Sequence, residues 1–491
     1  MLTNLIKTIF GLVIIILLFF AIWNPVWSNG DEVHYLLLTN SIIADKDFDL
    51  RNNYENKDYF THHAHPEGMH AFEGRNGTLM PYHGVLLSIA VIPGFYADNL
   101  SGSRVNVLVY TLIGIYFLYL LLKELGFSKN TSLITLSLFL VQAPILFLSS
   151  SIYPDLLMGF MLVIVAYLSL MGIKTRNNYY LLAGGIVSGI NIFFHWKILA
   201  FSLLLFGATL LITFKKDSYY FLFDEKQSLS FKKLLSSKYS TQIKIIIDNL
   251  KTNRSEISKR IIFGLLPILF FTFLASLLSY IWFGHFRPDY MTPFLKDNPA
   301  IKGYANPFYN LTAMLFDSDQ GLLWSGPILA LIIPGLVLWY KNNKHTLFAF
   351  ALPSIIFLLT QSLFKDWTAG WSPMARYTMS SLPLLVPALA YTLIEARKSK
   401  ILATVVTGLT LINLIYLLII IKFDYTGYPN SDINFFLQQI LEKIGFNSLL
   451  DLITLNFNTP TIKEFIASIL IYFWLIFCGI YLAYFDRKKP V

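Results

Sequence analysis

The sequence predicts an all-α polytopic membrane protein, and three observations predict it. Hydrophobic residues make up 55% of the 491 residues and charged residues only 14%. The mean hydropathy of +0.57 is too high for a soluble chain of this length. Several apolar runs approach the ~20 residues that cross a bilayer as a helix, whereas a barrel would show short alternating segments.

Taken in order, the apolar runs place about twelve spans near 6–23, 103–123, 131–150, 155–173, 179–195, 197–214, 261–283, 321–340, 345–364, 380–395, 401–421 and 465–485. The first has Lys7 ahead of it and no small-residue cleavage site behind it, so it reads as a retained span. The run 84-GVLLSIAVIPGFYAD-98 is short and carries Pro93, which fits a re-entrant or interfacial segment; thirteen spans result if it crosses. The distribution of Lys and Arg argues against a crossing. With 84–98 uncrossed, the basic 215–260 loop, 395-EARKSK-400 and 486-DRKKPV-491 share the cytoplasmic side, and both ends of the chain are cytoplasmic. The net charge of +9 then faces anionic lipid and implies no nucleic acid partner. Long outer segments remain at 24–102, 284–320 and 422–464. Cys478 is the single cysteine, so neither an internal disulfide nor a cysteine metal cluster is available.

This topology gathers polar residues on the outer side: Asp31 and Glu32 after the first span, Asp155 in 150-SSIYPDLL-157, His195 and Lys197, Asp317, Asp319 and Gln320, and Lys365, Asp366 and Arg376. Each has a plain structural reading. Asp31 and Glu32 suit the first turn of a helix capped by Ser28 or Asn29. Asp155 follows a helix-starting Pro154. Lys197 and Arg376 suit the headgroup region. Convergence on one face favours a shared polar cavity instead, because ionisable groups facing a bundle interior mark function. Five histidines fall in 62-HHAHPEGMHAFEGRNGTLMPYHG-84, without a standard zinc spacing.

Taken together, 28-SNGDEVHYLL-37, 77-GTLMPYHGVLLSIAVIPGF-95, Tyr153-Pro154-Asp155, the Lys197 turn, 316-FDSDQGLLWSGP-327 and 367-WTAGWSPMARYTMSSLP-383 resemble the GT-C superfamily of membrane glycosyltransferases. The likeness is to the polyprenyl-phosphate-sugar-dependent branch, related to protein mannosyltransferases and the lipid A aminoarabinose transferase. It spans residues 1 to about 395, leaving 396–491 as C-terminal spans. The resemblance implies a GT-C-like bundle with a long first outer loop. It implies that Asp31 is the essential catalytic or metal-binding carboxylate, with Glu32 and Asp155 as further catalytic candidates. Lys197 and Arg376 are candidates for the donor phosphate. Relatives often carry a Lys-Pro pair where this chain has Pro81-Tyr82-His83, so His83 stands in for that lysine. A divalent metal is the one cofactor considered, with Asp31, Asp155, His63 and His65 as ligands. The implied reaction moves a sugar from a polyprenyl-phosphate donor to a glycan, lipid or protein acceptor at the outer face of a bacterial inner membrane. An O-antigen polymerase or polysaccharide transporter is the alternative, and a scaffold without chemistry would leave the outer polar cluster unexplained.

Overall fold

The computed structural model describes residues 2–23, 30–215, 218–221, 254–288, 307–317, 320–364 and 373–422. The expected segments at 465–485 and 422–464, most of the 215–260 loop, Asp319, Lys365 and Asp366 lie outside the described residues. The elements used below are α1 (Leu2–Trp23), α2 (Asp31–Ala44), α3 (Arg51–Glu55), β1 (Ala71–Glu73), β2 (Leu79–Pro81), α4 (Val85–Ala90), α5 (Ile92–Glu124), α6 (Lys129–Leu140), α7 (Ala143–Ser149), α8 (Pro154–Thr175), α9 (Asn178–Ile190), α10 (Ile198–Leu210), β3 (Ile212–Lys215), β4 (Ser218–Phe221), α11 (Leu266–Phe283), α12 (Pro307–Phe316), α13 (Ile332–Gln361), α14 (Val386–Ala396) and α15 (Lys400–Lys422).

Among the described residues six helices are long and apolar enough to cross a membrane, α8 being the most enclosed. It packs between α5, α9 and α10, while α1 lies on α5 and α6, and α13 lies on α14. These contacts make one continuous apolar core from Val13 to Leu417.

Several elements depart from the sequence reading. The expected span 131–150 is two helices, α6 and α7, bent by 82°. Pro144 stands in the first turn of α7, where it has no N–H to carry the ladder of α6 onward, and the N-cap Gln142 is extended (ψ 135°), so the chain turns there. The run 84–98 becomes α4 and the first residues of α5, which break at Asp98 and Asn99. Neither piece approaches the ~20 residues of a crossing. The two arms of that break meet at Gly94 and Gly102, whose backbones lie too close for any Cβ. Residues 321–364 also show a kink, at Asn343 (φ −153°, ψ 82°), whose side chain caps the following turn by accepting from Thr346 N–H at 3.1 Å. The chain is not purely helical either. Among the described residues two antiparallel strand pairs occur, β1–β2 and β3–β4, and β3 ends the apolar run that follows Lys197.

Candidate active site

Four distant parts of the chain deliver charged side chains to one end of the bundle. Asp31 opens α2, Asp155 opens α8, Lys197 precedes α10, and Arg376 lies in the turn 373–379 ahead of α14. Arg376 is the hub. Its Nη2 meets Asp31 Oδ2 at 2.6 Å and its Nε meets Asp155 Oδ2 at 2.7 Å. Lys197 Nζ donates to the other oxygen of Asp155 at 2.7 Å. The guanidinium also lies over the Tyr153 ring at 4.6 Å, and the Lys197 ammonium lies over Tyr377 at 4.9 Å. The Asp155 side chain is fully buried, and those of Lys197, Arg376 and Asp31 are 10%, 9% and 16% exposed.

Local structure explains why these groups point inward. The N-cap of α2 is Gly30, with no side-chain cap, and Asp31 reaches across to Arg376. Ser28 and Asn29 lie outside the described residues. Arg376 follows Ala375, which adopts the left-handed conformation (φ 58°) and is pinned by its N–H to the Gln320 carbonyl at 3.0 Å. Gln320 is in turn held by Asp317, whose Oδ1 accepts the Gln320 N–H at 2.8 Å. Asp317 thus shapes the turn beneath Arg376.

Burial would raise the Asp31 pKa, but Arg376 and nearby imidazoles outweigh it and hold the carboxyl below its ordinary value. Asp31 is therefore ionised. So many ionised groups at low exposure are a costly structural device, and such clusters concentrate at functional sites.

Histidines flank the second oxygen of Asp31. His83 Nε2 is 3.8 Å from Asp31 Oδ1 and 3.4 Å from His70 Nδ1. His70 stacks on His34 at 3.9 Å, and Tyr54 Oη ties them by meeting His34 Nδ1 at 2.8 Å and accepting the His70 N–H at 3.0 Å. Burial brings His83 down to about 4, partly offset by Asp31, so its imidazole is neutral near pH 7. Asp31, His70 and His83 place their donor atoms within 4.8 Å of one another. Two imidazoles and a carboxylate are a donor set that suits a divalent transition metal, and a neutral imidazole is the ligating form. Those three residues therefore fit an ion.

That group differs from the expected set of Asp31, Asp155, His63 and His65. Asp155 is engaged by Lys197 on one oxygen and Arg376 on the other. His63 pairs with Glu67 at 3.0 Å, and His65 lies beside His63 at 5.9 Å between ring centres. His70 was legible in principle. The segment between His70 and His83 forms the β1–β2 hairpin, with Ala71 opposite Pro81, so its two ends carry those imidazoles together. Glu32 turns away from Asp31: it is fully buried and contacts Arg104 and Ile152 N–H. His195 lies at this end too, accepting the Lys197 N–H at 3.2 Å.

No family model matches the chain, and no curated protein matches it in sequence. Solved structures match in fold. ArnT from Cupriavidus metallidurans in the apo state is 13% identical with a TM-score of 0.53, covering 98% of this chain and 74% of ArnT. ArnT bound to undecaprenyl phosphate is 14% identical with a TM-score of 0.54, covering 97% of this chain and 74% of ArnT. The chain thus shares the fold of these ArnT structures. Its long apolar helices mark it as an integral membrane protein, with the ionic cluster at one end of the bundle.

Proposed function

We propose that this protein is a glycosyltransferase that moves a sugar from a polyprenyl-phosphate donor to a hydroxyl of a glycan, lipid or protein. The observation that carries the reading is the position of Arg376, held between Asp31 and Asp155 with Lys197 alongside. A base and a phosphate clamp lie side by side. The GT-C fold, and the binding of undecaprenyl phosphate by ArnT, support the donor class.

In the proposed reaction the acceptor oxygen attacks the anomeric carbon while its proton passes to Asp31. The bond from that carbon to the phosphate oxygen breaks, its electron pair leaving with the phosphate. The leaving group needs positive charge and no proton. Arg376 has five N–H donors, and the two carboxylates engage only its Nε and Nη2 among the described residues. Its Nη1 and Lys197 then serve the phosphate, the arginine by a planar fork and the lysine as a point charge. Direct displacement inverts the sugar. Phosphate binding also shares the charge of Arg376, which weakens its hold on Asp31 and raises the basicity of that carboxylate when donor is present. Asp31, His70 and His83 would hold a divalent ion, which when bound supplies further positive charge beside Asp31.

Beside the cluster, a small recess runs between the start of α4, the turn before α10 and α11, lined by Gly84, Phe193, His195, Trp196, Ala275 and Trp282. We place the site on the outer face of a bacterial inner membrane, in a twelve-span module comprising residues 1–395 and the C-terminal spans. The 24–102 loop is then outside and the 215–260 loop inside.

Mass spectrometry of polyprenyl-phosphate sugars and envelope glycans, from cells with and without the protein, tests the reading. Loss of one glycan substituent with accumulation of its lipid-linked donor is expected. Identical lipids and glycans in both would overturn it.

A further inference from the structure

We propose that Glu32 and Arg104 form a buried tie that sets the spacing of Asp31 and Asp155, making Glu32 a positioning residue. The proposal rests on the reading of Asp31 and Asp155 as site residues, and its test separates the two.

Adjacent residues on a helix point about 100° apart. Asp31 faces Arg376, and Glu32 faces α5 and the bend at 150–153. Glu32 Oε2 meets Arg104 Nη2 at 2.8 Å, while Oε1 accepts from Arg104 Nε at 3.3 Å and from the Ile152 N–H at 2.7 Å. Both side chains are buried, at 0% and 2% exposure, so no substrate reaches Glu32. The contacts join three separate parts of the chain: α2 through Glu32, α5 through Arg104, and the bend before α8 through Ile152. Arg104 stands on α5 just beyond its break at Asp98 and Asn99. Ile152 begins the short path Ile152-Tyr153-Pro154-Asp155, in which Tyr153 supports the guanidinium of Arg376 and Pro154 has a fixed φ. One carboxylate therefore links the backbone carrying Asp31 to the backbone carrying Asp155.

A buried ion pair costs desolvation that apolar residues of equal volume would avoid. The fork of Arg104 supplies direction, which apolar packing does not. A reacting constellation must be held to within about 0.5 Å, and a misplacement of about 1 Å can cost about 10²-fold in rate.

The test uses the full chain in nanodiscs with two variants. Glu32→Met/Arg104→Met removes both charges together and avoids stranding either. Glu32→Gln keeps an acceptor for the Ile152 N–H and guards against misfolding of the double variant. Hydrogen exchange read by mass spectrometry should show faster exchange in 150–157 and 374–379 of the double variant, by about tenfold, with α5, α8 and α14 unchanged. Glu32→Gln should show a smaller rise in the same segments. Sugar transfer should lose kcat by about 10- to 100-fold while KM for donor stays near its wild-type value. Exchange in both segments identical to wild type would overturn the tie. So would loss of transfer in Glu32→Gln as complete as in Asp31→Asn with exchange unchanged, since Glu32 would then be reacting. If the wild-type protein transfers no sugar, the functional reading falls, and the exchange data still decide the tie.

Discussion

At Asp31, two roles make opposite demands on one amide. A helix cap tolerates Asn as well as Asp, and a base does not. With Gly30 at the cap and Asp31 bound to Arg376, Asp31→Asn is expected to fold normally and to lose about 10²-fold or more in kcat. A stable Asn variant transferring at the wild-type rate would remove Asp31 from the chemistry. Ala375 makes a second test, because a residue with a Cβ at φ 58° stores strain of about 1–3 kcal/mol. Ala375→Gly should fold at least as stably to within about 1 kcal/mol. Ala375→Val should lower the melting temperature and misdirect Arg376. Acidification gives a third. His62 is brought down to about 4, by burial first. Unfolding lets it take up a proton near pH 6.5, so the unfolded state binds more protons in the window between. Stability should therefore be full above about pH 6.5 and fall as pH drops toward 4, as read by thermal melts across that range. At this scale the sequence showed residue types and order: Asp31, Asp155, Lys197 and Arg376 all stood out as charges at the ends of apolar runs. Arg104 did not, because its partner Glu32 lies 72 residues away and nothing in the local pattern joins them.

Elements show where pattern reading stops. An apolar run of the right length reads as one span, yet 131–150 bends by 82° at a position where only Pro144 gave warning. Hydropathy reports length and burial and carries no direction. The same limit hid the metal-competent trio, since pairing of β1 with β2 brings His70 to His83 and spacing alone does not. Gly84 offers a test at this scale. A Cβ there would run into the carbonyls of Phe193 and Phe194, so this glycine lets the start of α4 lie against the turn that carries His195 and Lys197. Gly84→Ala should cost about 1–3 kcal/mol in stability, read by thermal melting. It should also weaken undecaprenyl phosphate binding by moving Lys197 from Asp155.

For the whole molecule, sidedness is a quantity that chemistry can measure. In a chain with Cys478 replaced by Ser, cysteines placed at Ser236 and at Asn76 should react oppositely with an impermeant maleimide in intact cells. Asn76 should label from outside. Labelling of Ser236 from outside would invert the assigned face of the cluster. The fold class was legible because bilayer crossing imposes a composition that no soluble fold shares. The number of spans was less so, since kinks such as Asn343 let one apolar stretch serve as one helix or two.

The pairing of two acids with two bases around Arg376 has a consequence for turnover. The resting cluster is close to electroneutral. In the proposed reaction a donor phosphodiester would bring one negative charge, and the departing polyprenyl phosphate would be a monoester carrying about −1.5 to −2 near pH 7. The same guanidinium and ammonium would then grip the product harder than the substrate. Release of the spent carrier, and not the transfer itself, is expected to limit the cycle. Pre-steady-state measurements should accordingly show a burst of transferred sugar close to one per protein, followed by a slower steady rate that added undecaprenyl phosphate depresses further.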